Sequence, residues 1–134
     1  MAVVGVGVDL VEIERIDRLL SSSALGARFR RRVFTDRERA YCESATRPAA
    51  SYAARFVAKE AVMKALCLES GWGFPWPDIE VVRTGRGAPT VVLHGRAARR
   101  AGERGAAAVL VSLSHGKDVA IASALAESAG EGVG

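Results

Sequence analysis

Valines alternate with glycines through Val3-Val4-Gly5-Val6-Gly7-Val8, which predicts a β-strand whose glycines admit close packing or a nearby ligand. From Asp9 to Glu12 the period changes. Ile13, Ile16, Leu19 and Leu20 then mark an amphipathic helix whose other face carries Glu14, Arg15, Asp17 and Arg18. Ser21-Ser22-Ser23 closes it, and a second helix is expected over Ala24 to Arg32. Thr35-Asp36-Arg37-Glu38 has the residues of a capping box, predicting a short helix to about Glu43. Pro48 and Ser51 mark the entry to a long helix ending near Leu68.

Beyond it, Gly71 to Pro77 reads as a loop, Asp78 to Arg83 as a strand, and Gly85-Arg86-Gly87 as a hairpin turn before a return strand from Pro89 to Leu93. Gly95 to Gly102 is expected to be helical. Val109 to Ser114 and Val119 to Leu125 alternate as strands joined by a tight turn at Gly116-Lys117-Asp118. This order predicts an α+β fold, with the long helix packed on an antiparallel sheet. Residues 1–126 are read as a single domain and the polar, glycine-rich residues 127–134 as a flexible tail.

The long helix holds the main anomaly. Arg55 to Leu66 is apolar almost all round, yet at about 100° per residue Glu60 and Lys64 fall side by side, flanked by Phe56 and Val57. Arg55 and Lys59 form a second such pair. A carboxylate and an ammonium among apolar neighbours lose hydration, which partners, a metal or a ligand must offset.

Composition narrows the classes. The 134 residues are 49% hydrophobic with four prolines, as suits one folded domain rather than a disordered chain. The apolar start lacks a basic leader and runs into Asp9 and Glu12, so it reads as a strand and not a signal peptide. No apolar run has the length to span a bilayer, so no membrane partner is expected. Cys42 and Cys67 lack paired spacing or a second ligand nearby, which points to free thiols in a reducing cytoplasm. The net charge of +4 favours an anionic partner: nucleic acid, an acidic protein or a phosphorylated small molecule.

Single residues leave alternatives open. Asp9, at the end of the first strand, is either a helix N-cap for the segment from Val11 or a ligand for a hard divalent cation together with Glu60. Glu60 and Lys64 are either an exposed intrahelical ion pair or part of a site in which Lys64 stabilises charge on a phosphate. His115 closes the strand face of Val109, Val111 and Leu113, either as a hydrogen-bonding residue or as a functional one. His94 precedes a turn glycine and is given no role. Gly5 and Gly7 lack the third glycine and the strand-to-helix turn of a dinucleotide loop.

In their order, these segments resemble one known family. Gly5-Val6-Gly7-Val8-Asp9-Leu10-Val11-Glu12-Ile13-Glu14-Arg15-Ile16 is similar to the opening motif of the holo-(acyl-carrier-protein) synthases, the short 4′-phosphopantetheinyl transferases. Phe34-Thr35-Asp36-Arg37-Glu38 resembles their short helix start, and Arg55 to Leu66 their F-x-x-K-E-A-x-x-K-A segment. Asp78-Ile79-Glu80-Val81, Gly87-Ala88-Pro89 and Ser112-Leu113-Ser114-His115 match the remaining landmarks. The likeness runs from about Val3 to Ala124.

The resemblance implies transfer of the phosphopantetheine arm of coenzyme A to a serine of an acyl carrier protein, with release of adenosine 3′,5′-bisphosphate. Asp9 and Glu60 then match Mg²⁺ ligands. Lys64 matches the lysine on the departing phosphate, and Arg47, Arg55 and His115 match positions that hold coenzyme A phosphates. Arg15 and Arg18 match basic residues that grip the acidic carrier, and Glu60 is the candidate base for the serine proton. The short members assemble as homotrimers with active sites at subunit boundaries. The carrier could belong to fatty-acid synthesis or to a polyketide or peptide assembly line. Two departures stand out: Cys67-Leu68-Glu69-Ser70-Gly71 replaces a Gly-Thr-Gly loop, and Met63 stands in place of serine or alanine.

The competing reading is a non-catalytic basic module built on Arg28, Arg30, Arg31 and Arg32 with Arg96, Arg99 and Arg100. Aromatic residues make up 6% of the chain and none interleave with these arginines, so nucleic acid is not the expected partner. A third reading is a carrier-binding subunit that no longer accepts coenzyme A.

Overall fold

In the computed structural model, which describes residues 1–69, 74–83 and 86–130, the first strand runs further than its valines suggest. β1 (Val3–Glu12) pairs antiparallel with β5 (Val119–Glu127), and β5 pairs with β4 (Ala108–His115), giving the order β1-β5-β4. Asp9 therefore sits inside β1, opposite Ala122, and caps no helix. Glu12 occupies the N-cap position of α1 (Ile13–Ser21) without a side-chain cap. Strand pairing over Asp9–Glu12 overrides the change of period there.

The alternation along β1 puts Gly5, Gly7, Asp9 and Val11 on the inner face, and Val6, Val8 and Leu10 on the outer one. Across the inner face lies α4 (Pro48–Ala65). Both surfaces are lined by small residues: Ala120, Ala122, Ala124 and Ala126 of β5 are buried, as are Ala58, Ala61 and Ala65 of α4. A Cβ on Gly7 or Gly5 would collide with the carbonyl oxygen of Ala61 or Ala65. The glycines of β1 thus serve the close approach of backbone to backbone.

α4 ends at Ala65 rather than near Leu68. Cys67 adopts a left-handed φ of 53°, with Cys67 N–H donating to Lys64 O and Leu68 N–H to Met63 O, the bond pattern of a Schellman terminus. α2 (Gly26–Val33) starts later than expected, because Leu25 N–H is held in a turn by Ser22 Oγ at 3.2 Å. α3 (Asp36–Glu43) carries its capping box: Glu38 N–H donates to Thr35 Oγ1 and Thr35 N–H to Glu38 Oε1.

β2 (Ile79–Val82) and β3 (Thr90–Leu93) form a separate antiparallel pair. The turn expected at Gly85-Arg86-Gly87 and the loop from Gly71 lie partly outside the described residues. α5 (Gly95–Glu103) is capped by Asp78, whose Oδ2 accepts from Arg96 N–H at 2.8 Å. β5 runs to Glu127, and Ser128 N–H donates to Ala2 O.

The deepest cation is Lys59, which helical spacing groups only with Arg55. Lys59 is fully buried, and its Nζ donates to Glu38 Oε1 at 2.7 Å and to the Ile79 carbonyl. Burial lowers the Lys59 pKa, against the pull of Glu38. Glu38 Oε2 accepts from Val81 N–H, so one carboxylate ties α3, α4 and β2 together.

Candidate active site

Two constellations emerge from this frame. The first lies where β1 passes beneath α4. Gly7 brings the strand against Ala61, and Asp9, two positions on along the same face, meets Glu60. Their carboxyls are in hydrogen-bond contact. Burial, then the Asp9 charge and that bond, push the Glu60 pKa up to about 7, while Lys64 and Arg15 pull the other way. Asp9 Oδ1 also accepts from Leu10 N–H at 2.9 Å.

Lys64 does not make the simple intrahelical pair with Glu60. Its Nζ lies 3.6 Å from Asp9 Oδ1 and donates to Val8 O at 3.0 Å, with the side chain 56% exposed. Arg15 is exposed on α1 and close enough to bias Glu60 electrostatically, whereas Arg18 lies one turn on along the same exposed face. The acid pair thus sits beside an exposed helix face on which Arg15 and Arg18 alternate with Glu14 and Asp17.

Glu60, its pKa pushed up to about 7 by burial and by the neighbouring Asp9, makes with Asp9 a donor set to which a divalent cation is suited, because the cation's charge offsets the repulsion between the two carboxyls. No group of three or more His, Cys, Asp or Glu gathers among the described residues. Mg²⁺, which takes one or two carboxylates and completes its shell with waters and phosphate oxygens, fits such a pair.

The second constellation is a cavity of about 570 Å³ at the start of α4, lined by Arg47, Arg55, Arg83, His115, Tyr41 and Ser114 among others. No carboxylate lines it among the described residues. Arg47 donates to the carbonyls of Gly116 and Lys117, both at 2.9 Å, which anchors it to the β4–β5 turn. Arg55 is buried, donates to Ser51 Oγ at 3.1 Å, and leaves its Nε without a hydrogen-bond partner. A guanidinium that has no carboxylate partner among the described residues, on the wall of such a cavity, is chemically suited to an anion.

The structure therefore brings Arg47, Arg55 and His115 together, and separately Asp9, Glu60 and Lys64. It does not place both sets in one cavity of the single chain. Lys64 lines a different depression, on the side of Val6, Val8 and Leu110. Sequence reasoning missed Arg83 and Tyr41. Arg83 follows a short strand with no pattern of its own, and Tyr41 is an aromatic on the exposed side of a short helix.

The comparisons with known proteins agree with one another. A family model described as the 4′-phosphopantetheinyl transferase superfamily matches residues 5–123. A holo-[acyl-carrier-protein] synthase of Moorella thermoacetica is 48% identical over 122 residues, covering 91% of this chain and 92% of the relative. The synthase of Anaeromyxobacter dehalogenans strain 2CP-C is 45% identical over 129 residues, covering 96% and 98%. Among solved structures, the Neisseria meningitidis synthase superposes with a TM-score of 0.81 at 30% identity, covering 94% and 99% of the two chains. The Bacillus anthracis synthase, in complex with CoA (3′,5′-ADP), superposes at 0.74 with 31% identity, covering 95% and 98%.

Proposed function

The chain belongs to the 4′-phosphopantetheinyl transferase superfamily, and we propose that it works as a holo-(acyl-carrier-protein) synthase through the two constellations just described. It transfers the 4′-phosphopantetheine arm of coenzyme A to a serine of an apo acyl carrier protein and releases adenosine 3′,5′-bisphosphate. The observation that carries this reading is an arginine-lined cavity, with no carboxylate among its described lining residues, in one chain with the carboxyl pair Asp9 and Glu60 set against Lys64.

The residues divide the work by charge. Arg47, Arg55 and His115 hold the phosphates of coenzyme A in the cation-lined cavity, with Arg83 a further cation on its wall. Asp9 and Glu60 hold Mg²⁺, which when bound supplies Lewis-acid polarisation of the diphosphate. Lys64, already beside Asp9, turns its ammonium to the phosphate that departs. Glu60, beside the reacting phosphate, accepts the proton of the carrier serine as general base. Arg15 and Arg18 on the exposed face of α1 steer the acidic carrier toward that acid.

Trimerisation explains why one chain keeps the two sets apart. The outer sheet face exposes Val6 (66%), Leu10 (60%) and Leu110 (56%), with Val8 and Ile121 beside them. An apolar sheet face of this kind favours burial against further copies. A homotrimer closed on it would bring the cavity of one subunit to the acids of the next. The transferase domain is taken as residues 1–126, followed by a tail, residues 127–134, whose first residue, Glu127, ends β5 and whose Ser128 N–H donates to Ala2 O. A cytoplasmic setting suits the two free thiols. No helix among the described residues is long and apolar enough to cross a membrane.

The test is direct. Incubated with coenzyme A, Mg²⁺ and a panel of apo carriers, the protein should add one phosphopantetheine mass to a carrier serine. A panel that stays unmodified would contradict the assignment.

A further inference from the structure

The Arg55 guanidinium carbon lies 3.9 Å from the centre of the Tyr41 ring. Ser51 Oγ is its hydrogen-bond acceptor, Nε has none, and no carboxylate among the described residues forms an ion pair with it. One hydrogen bond fixes a point and leaves the guanidinium plane to turn. An aromatic face fixes the plane, and it does so without using any of the in-plane N–H donors. Tyr41 is itself 37% exposed and lines the cavity, so its ring stands between Arg55 and water on one side.

We infer that Tyr41 is a positioning residue for anion capture: its ring holds the Arg55 guanidinium in the plane that turns its cavity-side N–H groups to a phosphate. The inference rests on the reading that this cavity takes coenzyme A. It adds a residue on α3 to a binding set drawn from α4 and the strands. Because Tyr41 acts on a group that binds and not on the reacting atoms, its loss should appear in affinity and leave turnover alone.

The experiment measures coenzyme A binding by calorimetry, together with KM and kcat in the carrier assay, for Tyr41→Phe, Tyr41→Leu and Tyr41→Gln. Tyr41→Phe keeps the ring and should match the parent within about twofold. Tyr41→Leu and Tyr41→Gln lack a π face and should weaken binding and raise KM by about three- to thirtyfold, with kcat within about twofold. In an Arg55→Ala background, Tyr41→Leu should cost nothing further. Leucine and glutamine variants that bind like the parent would overturn the inference, as would the same loss in the Arg55→Ala background. A parent protein that binds no coenzyme A would overturn the functional reading as well, which separates the two failures.

Discussion

Glu60 of α4 packs its carboxyl against that of Asp9 of β1, and burial, with Asp9 adding to it, pushes the Glu60 pKa up to about 7. The contact depends on the glycines of the strand, since only a side-chain-free Gly7 lets the helix approach closely enough for the acids to meet.

That relationship has a stability signature. Unfolded, Glu60 titrates near the ordinary 4.5; folded, near about 7. Between these values the native state binds a proton that the unfolded chain has released, so stability falls as pH rises through the window. With Glu60 partly exposed, the effect after screening is on the order of 1 kcal/mol. Urea unfolding of metal-free protein should show the parent losing that much relative to Glu60→Gln between pH of about 5 and about 8. Parallel pH curves for the two proteins would count against it.

Gly7→Ala should be strongly destabilising. The added methyl meets the backbone carbonyl of Ala61, which cannot swing aside as a side chain could. A loss of about 2–4 kcal/mol is expected, in the range of severe overpacking. Thermal melts that leave Gly7→Ala level with the parent would show that the helix has slack to move.

Lys59→Met should cost about 3–5 kcal/mol, because Glu38 is left as a buried charge whose strongest partner is gone. Combining it with Glu38→Gln should recover part of the loss. Equal destabilisation by Lys59→Met in both backgrounds would mean that the pair is not coupled.

Much of this architecture was legible in the sequence. The capping box at Thr35, the alternation of β4 and β5 and the family motif around Glu60 each carry their own local signal. Asp9 was placed at a strand end because period alone cannot see the pairing of Asp9–Glu12 with β5. Lys59 was passed over for a related reason: helical spacing groups it with Arg55, while its burial is decided by Glu38 and the Ile79 carbonyl, which are far away in the chain. Tyr41 and Arg83 join the cavity only through tertiary packing, so no local pattern marks them.

The outer sheet face gives a separate test. Val8→Asp places a charge amid Val6, Leu10 and Ile121. Light scattering should then find monomers where the parent forms trimers, with carrier modification lost at least about a hundredfold. A parent that is monomeric and active would overturn the trimeric arrangement.

The central claim is that Asp9 and Glu60 together take a divalent cation in place of the proton that Glu60 holds up to about pH 7. A residue-resolved carbon NMR titration of the Glu60 carboxyl, assigned with Glu60→Gln, tests it most directly. Without metal the midpoint should lie at about 7, and saturating Mg²⁺ should move it down by at least about one pH unit. A metal-free midpoint in the ordinary glutamate range, or one that magnesium leaves in place, would contradict the account.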